Sequence, residues 1–241
     1  PAAGARSPVE GRVSDALEAL RGGLVVSVQA PEGSPLAGSP HMAAIARAAE
    51  AGGAAGIRAQ DVDAIRRAVA LPVIGLRKRR VEGSEVYITP TLEDALAVGC
   101  AGADIVAVDA TLRPRPGGLG ADQFLARLVS EQPRPVLADV DSLEAGLAAR
   151  AAGAAAVATT LAGYTDTDIS PKDPDLLLVA SLAAELDCPV FAEGRIATPD
   201  QARAAFEAGA FAVVVGTAIT DPVALTRGFA AACPRVTHAA H

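Results

Sequence analysis

Two short patterns that alternate along the 241 residues predict a (β/α)8 barrel. The first is a helix that ends in Ala/Gly and runs straight into an apolar strand. It occurs as AGGAAGIRA around Gly53, AGADIVAVDA around Gly102, AAGAAAVATT around Gly153 and EAGAFAVVVGTA around Gly209, at spacings of 49, 51 and 56 residues. The second is Pro-Val leading a short strand, in LPVIGLRK from Pro72, RPVLADV from Pro135 and CPVFAEG from Pro189. A third observation is that the strands are nearly continuous apolar runs, as a parallel sheet buried on both faces requires.

With GGLVVSVQ at residues 22–29 as the first, the expected strands are 24–29, 54–58, 73–78, 104–109, 136–140, 155–160, 189–193 and 211–216. Glycine closes the preceding helices because a C-cap needs a left-handed residue. Proline is tolerated at a strand's first position, where no ladder hydrogen bond is lost. The intervening segments read as helices. SPHMAAIARAAEAG, TPTLEDALAVGC, DSLEAGLAARAAG and TPDQARAAFEAG each open on Ser, Thr or Asp at an N-cap position. Eight such units fill residues 13–233, leaving 1–12 and 234–241 as tails. The rival doubly wound sheet would carry GxGxxG after its first strand, and that motif is absent.

Composition narrows the function. Lys+Arg 21 against Asp+Glu 28 leaves a net charge of −7, which argues against nucleic acid or an anionic membrane as partner. Two Tyr, five Phe and no Trp offer few stacking platforms for single-stranded nucleic acid. Three cysteines (Cys100, Cys188, Cys233) without a CxxC imply a reducing compartment. No apolar run reaches the roughly 18 residues that span a bilayer. PAAGARSPVEGR lacks the apolar stretch of a signal peptide, so a cytoplasmic protein is expected.

A barrel carries its chemistry at the C-terminal ends of its strands. Those ends read Gln29, Arg58, Lys78, Asp109, Asp139, Thr159-Thr160, Glu193 and Gly216-Thr217. Side chains alternate along a strand, so Ile74, Leu76 and Lys78 share one face and Arg77 takes the other. Leu137 pairs with Asp139 in the same way, and Phe191 with Glu193. Lys78 and Glu193 thus emerge as a base and a carboxylate converging on one substrate, while Arg79 and Arg80 read as a solvated charge run. His41 lies in an early loop or helix start, and His238 and His241 in the C-terminal tail, so no metal site is expected. The loops after strands seven and eight, EGRIATPD and VGTAITDP, match the place where barrels hold phosphate. Gly194 and Gly216 permit close backbone approach there, Arg195 offers charge and Thr217 a hydroxyl.

The segments SVQAPEGSPL, GGAAGIRAQ, PVIGLRKR, VYITPT, DATLRPRPGG, ADVDSLEAGLAA, TTLAGYT, FAEGRIATP and VVGTAIT, in this order, resemble the N-acetylmannosamine-6-phosphate 2-epimerases. The match runs from about residue 22 to 230, and VYITPT and DAT-x-R-x-RP are its most distinctive parts. The resemblance implies a (β/α)8 isomerase that interconverts N-acetylmannosamine 6-phosphate and N-acetylglucosamine 6-phosphate, without a cofactor and as a homodimer. It implies Lys78 and Glu193 as the catalytic pair, with Gln29, Arg58, Asp139, Thr160 and Tyr164 at the sugar. Two departures stand out. Asp221 replaces the arginine that commonly follows the last AIT motif, and the usual IGIIKR is IGLRKR, which sets Arg77 beside the lysine.

The chemistry is consistent with those residues. Inverting C2 requires an open-chain aldehyde, which makes the C2 proton acidic and yields an enediolate-like anion. Such a reaction needs a base near C2 and donors for the oxyanion. A lysine serves as that base only when burial or a cationic neighbour lowers its pKa. Two alternatives remain open at this level. One is a phosphosugar aldolase that forms a lysine Schiff base; the other is a catalytically impaired sugar-phosphate sensor, for which Asp221 is the only support.

Overall fold

The structure, a computed structural model, describes residues 15–31, 33–165 and 172–234. Both expected tails, apart from residue 234, lie outside the described residues. Eight parallel strands close into a barrel in chain order: β1 (Leu24–Val28), β2 (Gly56–Ala59), β3 (Val73–Gly75), β4 (Ile105–Asp109), β5 (Val136–Asp139), β6 (Ala156–Ala158), β7 (Val190–Glu193) and β8 (Ala212–Val215). The ring is sealed where β8 returns to β1, with Val214 opposite Val25. Helices α1 (Ser39–Ala51), α2 (Val62–Ala68), α3 (Leu92–Cys100), α4 (Ala121–Glu131), α5 (Leu143–Ala151), α6 (Leu176–Glu185) and α7 (Pro199–Glu207) follow the first seven strands. A short α8 (Thr217–Thr220) and α9 (Pro222–Ala232) follow β8.

The local signals act as their chemistry requires. Gly53, Gly102, Gly153 and Gly209 have φ of 91°, 99°, 99° and 98°, so each repeat turns on a residue without a Cβ. Thr91, Ser142 and Thr198 cap α3, α5 and α7 by accepting from the backbone N–H three residues on. Of the expected opening residues only Thr198 is itself the cap: Thr91 replaces Thr89 at α3 and Ser142 replaces Asp141 at α5, and α1 departs further. Ser39 is already helical, Gly38 holds the cap position, and Pro40 occupies the first turn, where no N–H is needed.

Strand alternation divides the core in two. Val26, Val28, Val106, Val108, Val157 and Val213 pack outward against the helices. Val25, Ile74, Leu76, Ile105, Leu137, Phe191 and Val214 fill the barrel. Leu20 enters from below, so close to β2 that a Cβ on Gly56 would lie 2.4 Å from its Cδ2.

Seven strands lie within two residues of their expected bounds. The third is shorter: its ladder stops at Gly75, not at residue 78. The chain leaves the barrel wall there to form an antiparallel hairpin. Lys78 faces Ile88, Arg79 N donates to Tyr87 O at 2.9 Å, and Thr89 N donates to Arg77 O at 2.6 Å. Its turn sits at residues 81–84, closed by Ser84 N to Val81 O, with Gly83 at φ 73°.

Candidate active site

The upper layer of the barrel interior is charged. Arg58 rises from the inner face of β2 and is 1% exposed. Its Nη1 donates to Asp139 Oδ1 at 2.9 Å and its Nη2 to Asp139 Oδ2 at 2.6 Å, a bidentate fork across the barrel to β5. Nη1 also lies 3.2 Å from Glu193 Oε2 at the end of β7. Thr160, just past β6, donates from Oγ1 to Asp139 Oδ1 at 2.6 Å and stands 3.2 Å from Glu193 Oε2. Its neighbour Thr159 braces the Glu193 backbone, donating to the carbonyl at 2.9 Å and accepting from the N–H at 3.1 Å.

Above this layer lies an open cavity of about 1160 Å3. It is lined by Gln29, Arg58, Lys78, Thr160, Tyr164, Glu193, Gly194, Arg195, Gly216 and Thr217. Ten of the eleven residues expected at the site thus meet in one place. Asp139 is the eleventh; it sits one layer deeper, wholly buried, and reaches the site through Arg58 and Thr160. The walls carry Arg58, Lys78, Arg79, Arg80, Lys172 and Arg195 against the carboxylates Glu193 and Asp221. A chain of net charge −7 has therefore gathered a cationic mouth.

Protonation follows from that packing. Burial, then the Arg58 guanidinium, push the Lys78 ammonium below the ordinary lysine range, with Glu193 and Asp139 opposing. Burial raises the Glu193 carboxyl above the usual range, helped by Asp139 and opposed by Arg58, Lys78 and Thr160. Burial works against the Arg58 charge too, but Asp139 and Glu193 more than offset it, and Arg58 stays charged. The proton affinities of a lysine and a carboxyl are thus drawn toward each other, as two groups exchanging protons with one substrate require.

The strand-seven and strand-eight loops differ in detail from a bare phosphate cradle. Gly194 has φ 110° and Arg195 φ 58°, so the chain turns sharply at the mouth. Arg195 donates from Nε to Asp173 O at 2.8 Å and from Nη1 to Ala162 O at 2.6 Å, and its guanidinium lies 5.1 Å from the Tyr164 ring centroid. It is thus a charged clamp across two loops as well as a wall of the cavity. Asp221 caps α9, accepting from Ala224 N at 3.0 Å.

Arg79 and Arg80 are exposed, as a solvated run requires, but each also has a partner. Arg79 pairs with the buried Asp94 at 2.7 Å, and the Arg80 guanidinium lies 5.8 Å from the Tyr87 ring centroid and lines the cavity. The hairpin alternates its side chains, so Lys78 and Arg80 turn to the cavity while Arg77 and Arg79 pair with Asp94, with Arg79 still bordering the cavity. Asp109 is drawn aside as well, held by Thr111 and Arg113.

A family model described as "Putative N-acetylmannosamine-6-phosphate epimerase" matches residues 42–235. The chain belongs to this family. A relative from Caldanaerobacter subterraneus, named "Putative N-acetylmannosamine-6-phosphate 2-epimerase", is 48% identical over 219 residues, covering 89% of this chain and 92% of that protein. A protein of the same name from Clostridioides difficile is 39% identical, covering 88% and 96%. The solved N-acetylmannosamine-6-phosphate 2-epimerase from Clostridium perfringens superposes with a TM-score of 0.86 at 35% identity, covering 97% of this chain and all of that one.

Several cavity residues escaped the sequence reading, among them Gln60, Tyr87 and Lys172. Tyr87 lies inside VYITPT, but its place depends on the hairpin. Burial, then Asp139 and Asp109, raise its phenol above the ordinary value, which keeps it a proton donor. A signal for Lys172 was present. The chain has 19 Arg and only two Lys, and both lysines line this cavity. An arginine cannot give up its proton at ordinary pH and a lysine can, so the rarer cation marks the reactive place.

Proposed function

We propose that this chain is an isomerase that interconverts N-acetylmannosamine 6-phosphate and N-acetylglucosamine 6-phosphate by proton transfer at C2. The observation that carries the reading is that Lys78 and Glu193 line one cavity over the buried Arg58–Asp139 fork, at the mouth of a barrel of the epimerase family.

In the ring-opened sugar, Lys78 Nζ takes the C2 proton. The C–H electron pair forms a C1–C2 double bond, and negative charge develops on O1. Arg58 holds a fixed positive charge beside that oxygen without reorganising, which is where electrostatic stabilisation is most effective. Glu193, whose proton affinity burial raises, supplies a proton to the opposite face of C2 in its acid form, and the reverse reaction exchanges the two roles. Gln29, Thr160 and Tyr164 line the sugar's path. The 6-phosphate is assigned to the loops at Gly194–Arg195 and Gly216–Thr217, with Lys172 adding charge at the rim. Asp221 is accounted for as the cap of α9, so it gives no support to an inactive sensor.

The homodimer is assigned to α9, which has no buried residue within one chain and exposes Phe229 at 76% with Val223 and Leu225. A cytoplasmic location is supported by three free cysteines.

Turnover of N-acetylmannosamine 6-phosphate in D2O, followed by NMR, tests the reading. Deuterium should enter C2 of the epimer, and Lys78→Ala should lower kcat by about 10²–10⁴-fold. An epimer that keeps its original hydrogen, or equal turnover of the unphosphorylated sugar, overturns it. Borohydride trapping of a substrate–lysine adduct would point to the aldolase instead.

A further inference from the structure

Lys78 stands beyond the last ladder pair of β3, so the barrel sheet alone does not hold it. Its backbone N–H donates to Gln60 Oε1 at 2.8 Å, and its other restraints come through its neighbours on the hairpin. Two of them lead to one unusual residue. Thr89 is fully buried and has φ 47°, a left-handed conformation that a β-branched residue seldom adopts. Such strain persists only where surrounding contacts over-determine it, and it gathers at functional sites.

The contacts are specific. Thr89 Oγ1 donates to Ala107 O of β4 at 2.6 Å and accepts from Arg77 N at 3.1 Å, while Thr89 N donates to Arg77 O at 2.6 Å. The N–H and the C=O of the residue before Lys78 are therefore both held by Thr89, the N–H by the hydroxyl that is itself tied to β4 and the C=O by the Thr89 backbone N–H. On the outer face, Arg79 Nη2 reaches Asp94 Oδ2 at 2.7 Å and Arg77 Nη1 reaches Asp94 Oδ1 at 3.4 Å. Asp94 is buried in the first turn of α3 and also accepts from Thr91 Oγ1 at 2.7 Å. The residues on either side of Lys78 are fastened, one from within and both from without.

We propose that Thr89 and Asp94 are positioning residues that hold the Lys78 hairpin against the barrel so that Nζ meets the reacting carbon. This rests on the reading of Lys78 as the base. Arg58 of β2, Asp139 of β5 and Glu193 of β7 are the charged groups facing Lys78. A loosened hairpin lets the ammonium, already partly exposed, move away from Arg58 and the barrel mouth, which restores ordinary basicity.

Thr89→Val keeps shape and removes the hydroxyl, Thr89→Ser restores it, and Asp94→Asn is isosteric and weakens the outer clasp. Each variant is read by kcat, KM, thermal melting and the titration midpoint of Lys78 from amine labelling followed by mass spectrometry. Thr89→Val should lower kcat about tenfold or more, since displacements near 1 Å are costly, with KM changed less than about threefold. Its Lys78 midpoint should move up, and Thr89→Ser should recover both. Asp94→Asn should shift both in the same direction by about threefold in kcat. Folded Thr89→Val and Asp94→Asn proteins with native kcat and native Lys78 titration overturn the proposal. Should Thr89→Val not fold, Asp94→Asn decides alone. An active Lys78→Ala would instead overturn the reading beneath it.

Discussion

Two arginines are buried at the top of this barrel, and their surroundings treat them in opposite ways. Arg58, 1% exposed, meets Asp139 and Glu193, and its charge is secured. Arg115, 3% exposed, follows β4 in the DATLRPRP segment and meets no carboxylate within 4 Å among the described residues. Its Nη1 donates to Pro90 O at 3.2 Å, and its guanidinium lies 3.8 Å from the centroid of the Phe124 ring. Burial, helped by Arg113, pulls its proton affinity down to about 10, against Asp109. Desolvation is common to both, so burial does not separate them. Their neighbours do. Where the site needs a permanent charge, two carboxylates are brought to it; where the loop needs a flat, long side chain, an aromatic face suffices.

That contrast breaks first at Asp139. In Asp139→Asn, Arg58 keeps one carboxylate partner in place of two, and kcat is expected to fall at least about 100-fold. Stability should drop by about 3–5 kcal/mol, the range for removing one partner of a buried pair. Urea unfolding and steady-state kinetics on the same preparation measure both. A mild effect on each would mean that Glu193 alone balances Arg58.

A pH profile sharpens the comparison further. The proposed mechanism starts from neutral Lys78 and protonated Glu193, so kcat is expected to be bell-shaped, with limbs that belong to the pair. Asp139 raises the proton affinity of both groups. Removing its charge should therefore move both limbs to lower pH, and a bell that stays in place would contradict the assigned field.

The smallest effect is expected at Arg115. Arg115→Met retains the long apolar stem over Phe124 and discards a charge that has no carboxylate partner. Stability should change by no more than about 1 kcal/mol, with kcat within about twofold. A loss of several kcal/mol on unfolding would show that Arg115 has an anionic partner after all.

Much of the site was legible beforehand because a parallel strand leaves its side chains little choice. Alternation with Leu137 and Phe191 was enough to turn Asp139 and Glu193 inward, and the Gly and Pro repeats were enough to set where β5 and β7 begin. The hairpin was not legible. Its antiparallel pairs join residues 77–79 to 87–89 through a turn whose only strong local signal is Gly83, and the segment also reads as a continuing strand. The partners of Arg79 and Arg80 and the place of Tyr87 were missed with it, and Lys172 was passed over because it lies on no strand end.

Local order and periodicity are properties of the chain's covalent sequence, so the eightfold repeat, the barrel and the inward-facing set were present in the residues themselves. Proton affinities and contacts are not. They depend on distances across the barrel between groups such as Arg58 and Asp139, 81 positions apart, and on how much water the packed walls exclude. Only the closed tertiary structure brings Arg58 beside Lys78, surrounds Glu193 with protein and folds the chain beyond β3 back into a hairpin. The same lysine on an open strand would carry its ordinary charge, because the energy that lowers its proton affinity comes from neighbours that the chain order leaves far apart.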